Sequence, residues 1–192
     1  AEAFTRSVEG PLSTEDFLAL VGGGITIGRN VAPGRFALLG GMWSGLAMRR
    51  FLALLGIEGE TAEEELDAAA VALSPGADGV RVEDPFDEPA AIVGIPRHVS
   101  PAHVWRATLE ALQRRGLAIV ETMDSVVGAR TRLVVTGGGV RGDAVRAIKR
   151  AVLGPFEEPA VEEAGARGAA LIGGVAAGLY DGIDDVPAPG SG

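Results

Sequence analysis

The chain has 192 residues, 47% hydrophobic and 22% charged, which suits one packed domain and excludes global disorder. Its net charge of −9 argues against nucleic acid as a partner, because that binding needs a basic surface to displace counterions. The lack of cysteine excludes disulfides and thiolate metal sites, and no apolar run reaches membrane-spanning length, so a soluble cytoplasmic protein with no membrane partner is expected.

Residues 1–20 carry no decisive pattern, although Ser13 or Thr14 is placed to cap a short helix over Glu15–Val21. Residues 24–28 and 35–39 read as strands, and the Pro33-Gly34 turn between them predicts a hairpin. Gly40-Gly41 ends the second strand. A helix follows from about Trp43, with Leu46, Phe51, Leu54 and Leu55 inward and Gly56 as its stop. Thr61 and Glu64 have capping-box spacing and open a helix to about Leu73, with Leu66, Ala69, Ala70 and Leu73 inward and Glu63-Glu64-Glu65 solvated.

Short strands are expected at 80–82 and 91–95 in an otherwise irregular stretch. Ser100-Pro101 starts a helix, with Ser as cap and Pro in the first turn. Apolar steps of three and four through Trp105, Leu109, Leu112, Gly116, Ile119, Met123 and Val127 make it long. A strand at 132–136, a helix at 141–153, a strand near 155–157 and a helix at 162–178 complete a β-α-β-α order. The order implies an α/β fold, a mixed sheet flanked by helices. Residues 1–186 form one domain, and Pro187-Ala188-Pro189-Gly190-Ser191-Gly192 reads as a disordered tail.

The apolar run Leu133-Val134-Val135-Thr136 leads into Gly137-Gly138-Gly139 and then a helix. Glycines let a ligand approach the backbone, and a helix N-terminus offers unpaired N–H groups and positive potential. A nucleotide cradle and a plain strand-to-helix turn both fit this segment taken alone. Asp143 is placed either to bound a ligand or to cap the helix. His98 and His103, five residues apart across Ser-Pro, lack the spacing and the partners of a metal site, and structural roles are expected. Glu83, Asp84, Asp87 and Glu88 read as an acidic surface loop, and Trp43 and Trp105 as core or interface anchors. Glu163 is expected to cap the last helix or pair with a cation.

Several segments together resemble the FGGY carbohydrate kinases of the actin/hexokinase/Hsp70 superfamily, whose lobes have a ribonuclease H-like fold. The segment from Thr136 to Asp143 looks like that family's adenosine-binding turn, and Val152-Leu153-Gly154-Pro155 like its end-of-helix pattern. Glu163-Ala164-Gly165-Ala166-Arg167-Gly168-Ala169-Ala170 and Ala176-Ala177-Gly178-Leu179-Tyr180 are similar to its last helix. His103 to Glu110 resembles its His-x-x-Arg-Ala-x-Leu-Glu helix, and Gly34 to Gly45 its strand and glycine turn. Gly142 stands where the family often carries Asn or Ser, and Ala147, Arg150 and Ala151 also depart from its pattern.

The resemblance implies the C-terminal, nucleotide-binding lobe, opening at Ala1-Glu2-Ala3-Phe4 just after the family's second Gly-Thr loop. It implies ATP bound near Gly40, Gly41, Gly45, Gly137, Gly138, Gly139, Gly142 and Asp143. Close helix–sheet packing is an equal alternative for Gly40, Gly41 and Gly45, and Gly168-Ala169-Ala170 is expected to pack in that way. Mg²⁺ would be held mainly through the phosphates. The partners implied are the missing N-terminal lobe, with its catalytic base, and a sugar or polyol acceptor. No catalytic residue and no metal ligand is expected in this chain, which alone would not turn over. A non-catalytic interaction module is the alternative, with a homodimer through the exposed cleft face. A chaperone- or actin-like ATPase lobe fits less well, for want of a peptide-binding segment.

Overall fold

The computed structural model describes residues 1–140, 142–161 and 163–187. It opens on a strand, β1 (Glu2–Glu9), where the sequence carries no decisive pattern. The inward face of β1 holds Glu2, Phe4, Arg6 and Val8, so charges alternate with apolar residues and mask the strand period. Both charges are met inside. Arg6 binds Asp124 at 2.7 Å, and Glu2 binds Lys149. Helix α1 (Thr14–Gly22) is capped by the Ser13 hydroxyl, which accepts from the Asp16 N–H at 3.0 Å. Strands β2 (Thr26–Arg29) and β3 (Arg35–Met42) make the expected hairpin, and β1 lies antiparallel on the other side of β3.

Helix α2 (Ser44–Leu54) buries Ala47, Phe51 and Leu52. Leu46 and Leu54, expected inward, are 54% and 64% exposed. The buried stripe runs through positions 47 and 51, so residues 46 and 54 fall on its flank. Helix α3 (Glu60–Ala72) starts one residue before Thr61, with Gly59 at the N-cap and no side-chain cap. Thr61 already lies inside the first turn, so the Thr61–Glu64 capping box does not form. Leu66 and Ala70 are buried, whereas Ala69 is exposed. Asp67 takes the inward position instead, held by the Trp105 indole N–H at 2.6 Å.

A two-stranded antiparallel ribbon follows, β4 (Arg81–Glu83) with β5 (Ala91–Val93). Helix α4 (Pro101–Val127) is the spine, roughly 40 Å long at the standard rise per residue. Its capping box pairs Ser100 with His103, whose Nδ1 accepts from the Ser100 N–H at 3.1 Å. Trp105, Leu109, Leu112, Gly116, Ile119 and Met123 are all buried, as their spacing predicts. The first half of α4 packs in one core with α2, α3, β4 and Ile148, and the second half packs under the three-stranded sheet and α1. Arg106 and Glu110 form a buried ion pair at 2.9 Å. Arg106 also donates to the Ala70 and Leu73 carbonyls at the end of α3, at 2.9 and 2.7 Å.

The expected strands at 132–136 and 155–157 reduce to one parallel bridge between Val134 and Glu157. Arg132 and Glu157 cross-brace this bridge by an exposed two-bond pair. The chain then turns away too soon for a longer ladder. Helix α5 (Asp143–Leu153) and helix α6 (Ala164–Ala176) follow, both shorter than expected. Only Gly174 is buried on α6, and Ala169 and Ala170 are exposed, so Gly168-Ala169-Ala170 does not serve close helix–sheet packing among the described residues. The tail expectation covers residues 187–192, of which 188–192 lie outside the described residues; Arg141 in the glycine-turn motif lies outside them too.

Candidate functional site

The Gly137 turn is shaped by its anchors. On one side the Val135 N–H donates to the Glu157 carbonyl at 3.0 Å, and the Glu157 N–H donates to Leu133 at 2.9 Å. Residues Gly137–Val140 then coil into a single 3₁₀ turn. Gly137 has φ of +70° and Gly142 has φ of +87°, a region that costs L side chains about 1–2 kcal/mol. Gly142, not Asp143, is the N-cap of α5, and among the described residues no side-chain cap bond closes that helix. Asp143 is the first helical residue and pairs with Arg146 at 2.9 Å.

Arg146 fixes the turn from the helix side. It donates to the Val140 carbonyl at 3.0 Å and to Glu158 at 3.0 Å. Glu158 also takes Arg150, whose guanidinium lies 4.8 Å over the Phe156 ring. Between the two strands of chain lies an open cleft of about 670 Å³, bordered by Thr136, Gly137, Val140, Arg146, Glu158 and Val161. Its two charged lining residues, Arg146 and Glu158, are paired with each other, and the rest of the lining is backbone and uncharged side chains.

The second group of glycines sits at the end of β3. Gly40 is buried, and a Cβ there would lie 2.3 Å from Ile119 Cγ2 on α4, so close packing accounts for that glycine. Gly41 is exposed and pairs with Ala3 across the sheet. Gly45 lies in the first turn of α2 with open space beside it. Lys149 ties the two groups together. It is fully buried on α5 and pairs with Glu2, which faces Met42 at the end of β3. The sequence offers no cue to this link, since its two members are far apart in the chain and lysine is rarely buried.

The residues weighed as alternatives fall where a structural reading puts them. His103 caps α4 and reaches Asp78 at 3.3 Å, and His98 is exposed. Glu83, Asp84, Asp87 and Glu88 are all exposed. Trp105 is buried, whereas Trp43 is 66% exposed at the start of α2. Glu163 stands at the N-cap of α6 but makes no side-chain cap. Asp67 is the residue the sequence reading passes over. Burial pushes its carboxyl above the ordinary value, the nearby Asp143 charge adds to that, and the Trp105 bond opposes it. Glu63, one turn earlier, is raised by burial and by the charges of Asp67 and Glu60. The Asp67 Oδ2 atom lies 3.2 Å from where a Cβ on Gly142 would stand.

The sequence model of the FGGY family of carbohydrate kinases, C-terminal domain, matches residues 58–177. The chain belongs to this family. A glycerol kinase of Methylibium petroleiphilum is 33% identical over 175 residues, a match covering 83% of this chain and 35% of that protein. Among solved structures, xylulose kinase from Rhodospirillum rubrum superposes with a TM-score of 0.78 at 28% identity, over 96% of this chain and 38% of that one. Plasmodium falciparum glycerol kinase, solved with ADP, gives a TM-score of 0.66 at 19% identity, over 84% of this chain and 35% of that one. The chain thus spans about a third of these FGGY kinases, and its mixed helix-and-sheet architecture is their actin/hexokinase-like fold. Within that fold Arg106, Glu110 and His103 of the His-x-x-Arg-Ala-x-Leu-Glu motif do structural work: two lock α4 to α3 and the third caps α4. Among the described residues no group of three or more His, Asp or Glu could hold a metal ion, and no helix is long and apolar enough to cross a membrane.

Proposed function

We propose that this chain is the ATP-binding lobe of a carbohydrate kinase that transfers the γ-phosphoryl group to a hydroxyl of a sugar or polyol. The observation that carries the reading is the Gly137–Val140 turn leading to Gly142 at the α5 N-terminus, bare backbone against which a nucleoside can lie, in a chain of this family. Gly137, Gly138 and Gly139 would let the adenosine lie against backbone, Gly142 and Asp143 would bound it, and Gly41 and Gly45 would face the phosphates, with Gly40 behind them. Mg²⁺ would neutralise charge on the phosphates and be held mainly through them.

Phosphoryl transfer rests on positioning and charge stabilisation between two lobes. This lobe supplies the nucleotide side. The acceptor hydroxyl and the base that takes its proton belong to the lobe that completes the kinase, so this chain alone has no turnover. Trp43, Leu46, Ile172 and Leu179 are exposed apolar residues of α2 and the α6 region, and they suit contact with that lobe. The glycerol and xylulose kinases among the relatives leave the acceptor as a sugar or polyol.

Titration with Mg·ATP followed by amide NMR tests the reading. Shifts confined to residues 137–143 and 40–45 are expected. No shifts at millimolar nucleotide, with the complementary lobe also present, would overturn it and favour a non-catalytic interaction module.

A further inference from the structure

We infer that Asp67 reads the base of the bound nucleotide, accepting a hydrogen bond from the exocyclic amine of adenine; this rests on the nucleotide reading of the Gly137–Gly142 turn. Asp67 comes from a different helix, but its carboxylate is aimed at the end of that turn. One oxygen is committed. Oδ1 accepts from the Trp105 indole N–H at 2.6 Å, and Trp105 is fully buried, so the carboxylate plane is fixed from behind. The other oxygen is free for a ligand. Among the described residues Oδ2 makes no hydrogen bond and no ion pair. It lies 3.2 Å from where a Cβ at position 142 would stand. Gly142 has no side chain there, and the carboxylate from α3 stands beside that space.

The chemistry of this corner selects the ligand group. An ionised carboxylate accepts hydrogen bonds and cannot donate, so Oδ2 calls for an N–H or O–H. Asp143 adds negative charge nearby, which together with burial raises the Asp67 carboxyl, and Asp67 in turn raises Glu63. Arg146, on the first turn of α5, is occupied by Asp143, Glu158 and the Val140 carbonyl. Phosphates are therefore disfavoured at this end, and the uncharged base is favoured. The base amine supplies the missing donor. A site built around one such hydrogen bond rejects an analogue that lacks the group, because the buried acceptor is left unpaired.

Calorimetric titration of the parent chain, Asp67→Asn and Asp67→Ala with the Mg²⁺ complexes of ATP, inosine triphosphate and purine riboside triphosphate tests this. The last lacks any group at C6. In the parent, ATP should bind about 10- to 100-fold more tightly than purine riboside triphosphate. Asp67→Ala should bind the two alike. Asp67→Asn keeps an acceptor for Trp105 and turns a donor toward the base, so it should prefer inosine triphosphate, whose C6 oxygen accepts. Near-UV circular dichroism of Trp105 checks the fold, and the Asn variant decides where the Ala variant does not fold. An ATP preference that persists in both variants would overturn the role of Asp67 and leave the nucleotide site standing. A parent chain that binds none of the three, with the complementary lobe added, would overturn both.

Discussion

Replacing Arg106 with alanine should cost about 3–5 kcal/mol of folding stability, the range for breaking one side of a buried ion pair. The Arg106 and Glu110 side chains are each 7% exposed, and they meet at 2.9 Å. Without Arg106 the Glu110 carboxylate stays buried with the Gly76 N–H at 2.9 Å and the half-exposed Arg114 at 3.3 Å. Those partners keep the cost toward the lower end. The Leu73 carbonyl at the end of α3 loses its donor at the same time, while Ala70 keeps the Leu73 N–H at 3.3 Å; this adds about 1 kcal/mol if water cannot reach the Leu73 oxygen. Such a loss is a large part of a typical stability of about 5–15 kcal/mol. Urea unfolding followed by tryptophan fluorescence would measure it, with the denaturant slope as a check that the unfolding transition is unchanged. The paired replacement Arg106→Met with Glu110→Leu removes both charges and should cost less than Arg106→Ala alone. A loss under about 1 kcal/mol for Arg106→Ala, or a pair costing more than the single change, would refute the assignment of α4 to α3 locking by this bond network.

Gly40→Ala should lose about 1–3 kcal/mol, since its methyl would fall 2.3 Å from Ile119 Cγ2, and Ile119→Ala should recover part of that in the double variant; additive losses in urea unfolding would count against the contact. Glu2→Gln should cost about 3–5 kcal/mol because it leaves the fully buried Lys149 without an anion, and hydrogen exchange in β1 should quicken, whereas protection unchanged across Glu2–Glu9 would sink the link. Asp67 binds a proton more readily folded than unfolded, so the parent loses stability as pH rises from the ordinary value of 3.8 through the raised one. Asp67→Asn should therefore gain on the parent at neutral pH, and the gain should vanish as pH falls through that raised value; a gain independent of pH would contradict the burial argument. Glu157 is held below its ordinary value by Arg132, so its contribution runs the other way: present above pH 4.5 and lost as pH falls through the lowered value.

Much of the helical framework was legible in the residues. The three- and four-residue steps from Trp105 to Met123 predicted α4, and burial confirms each step. Ser13 and Ser100-Pro101 marked helix starts through local cap chemistry, which depends on neighbours in sequence. The strands were less legible. β1 escaped because Glu2 and Arg6 point inward to partners on α5 and α4, and the 132–136 strand was overread because one bridge needs no longer ladder. The glycine turn and its family were visible in the order of motifs, but the side chain opposing the turn was not. Asp67 follows the solvated Glu63-Glu64-Glu65 run, and no motif or spacing sets it apart.

The sequence by itself determined the long helix, the hairpin, the glycine turn and the family, because these rest on spacings within a few residues or on motif order along the chain. Only the tertiary structure decided that Glu2 meets Lys149, that Arg106 closes the end of α3, and that Asp67 fills the space beside Gly142. Those pairs join residues 147, 33 and 75 positions apart, and no local periodicity encodes a contact that forms only when helices pack.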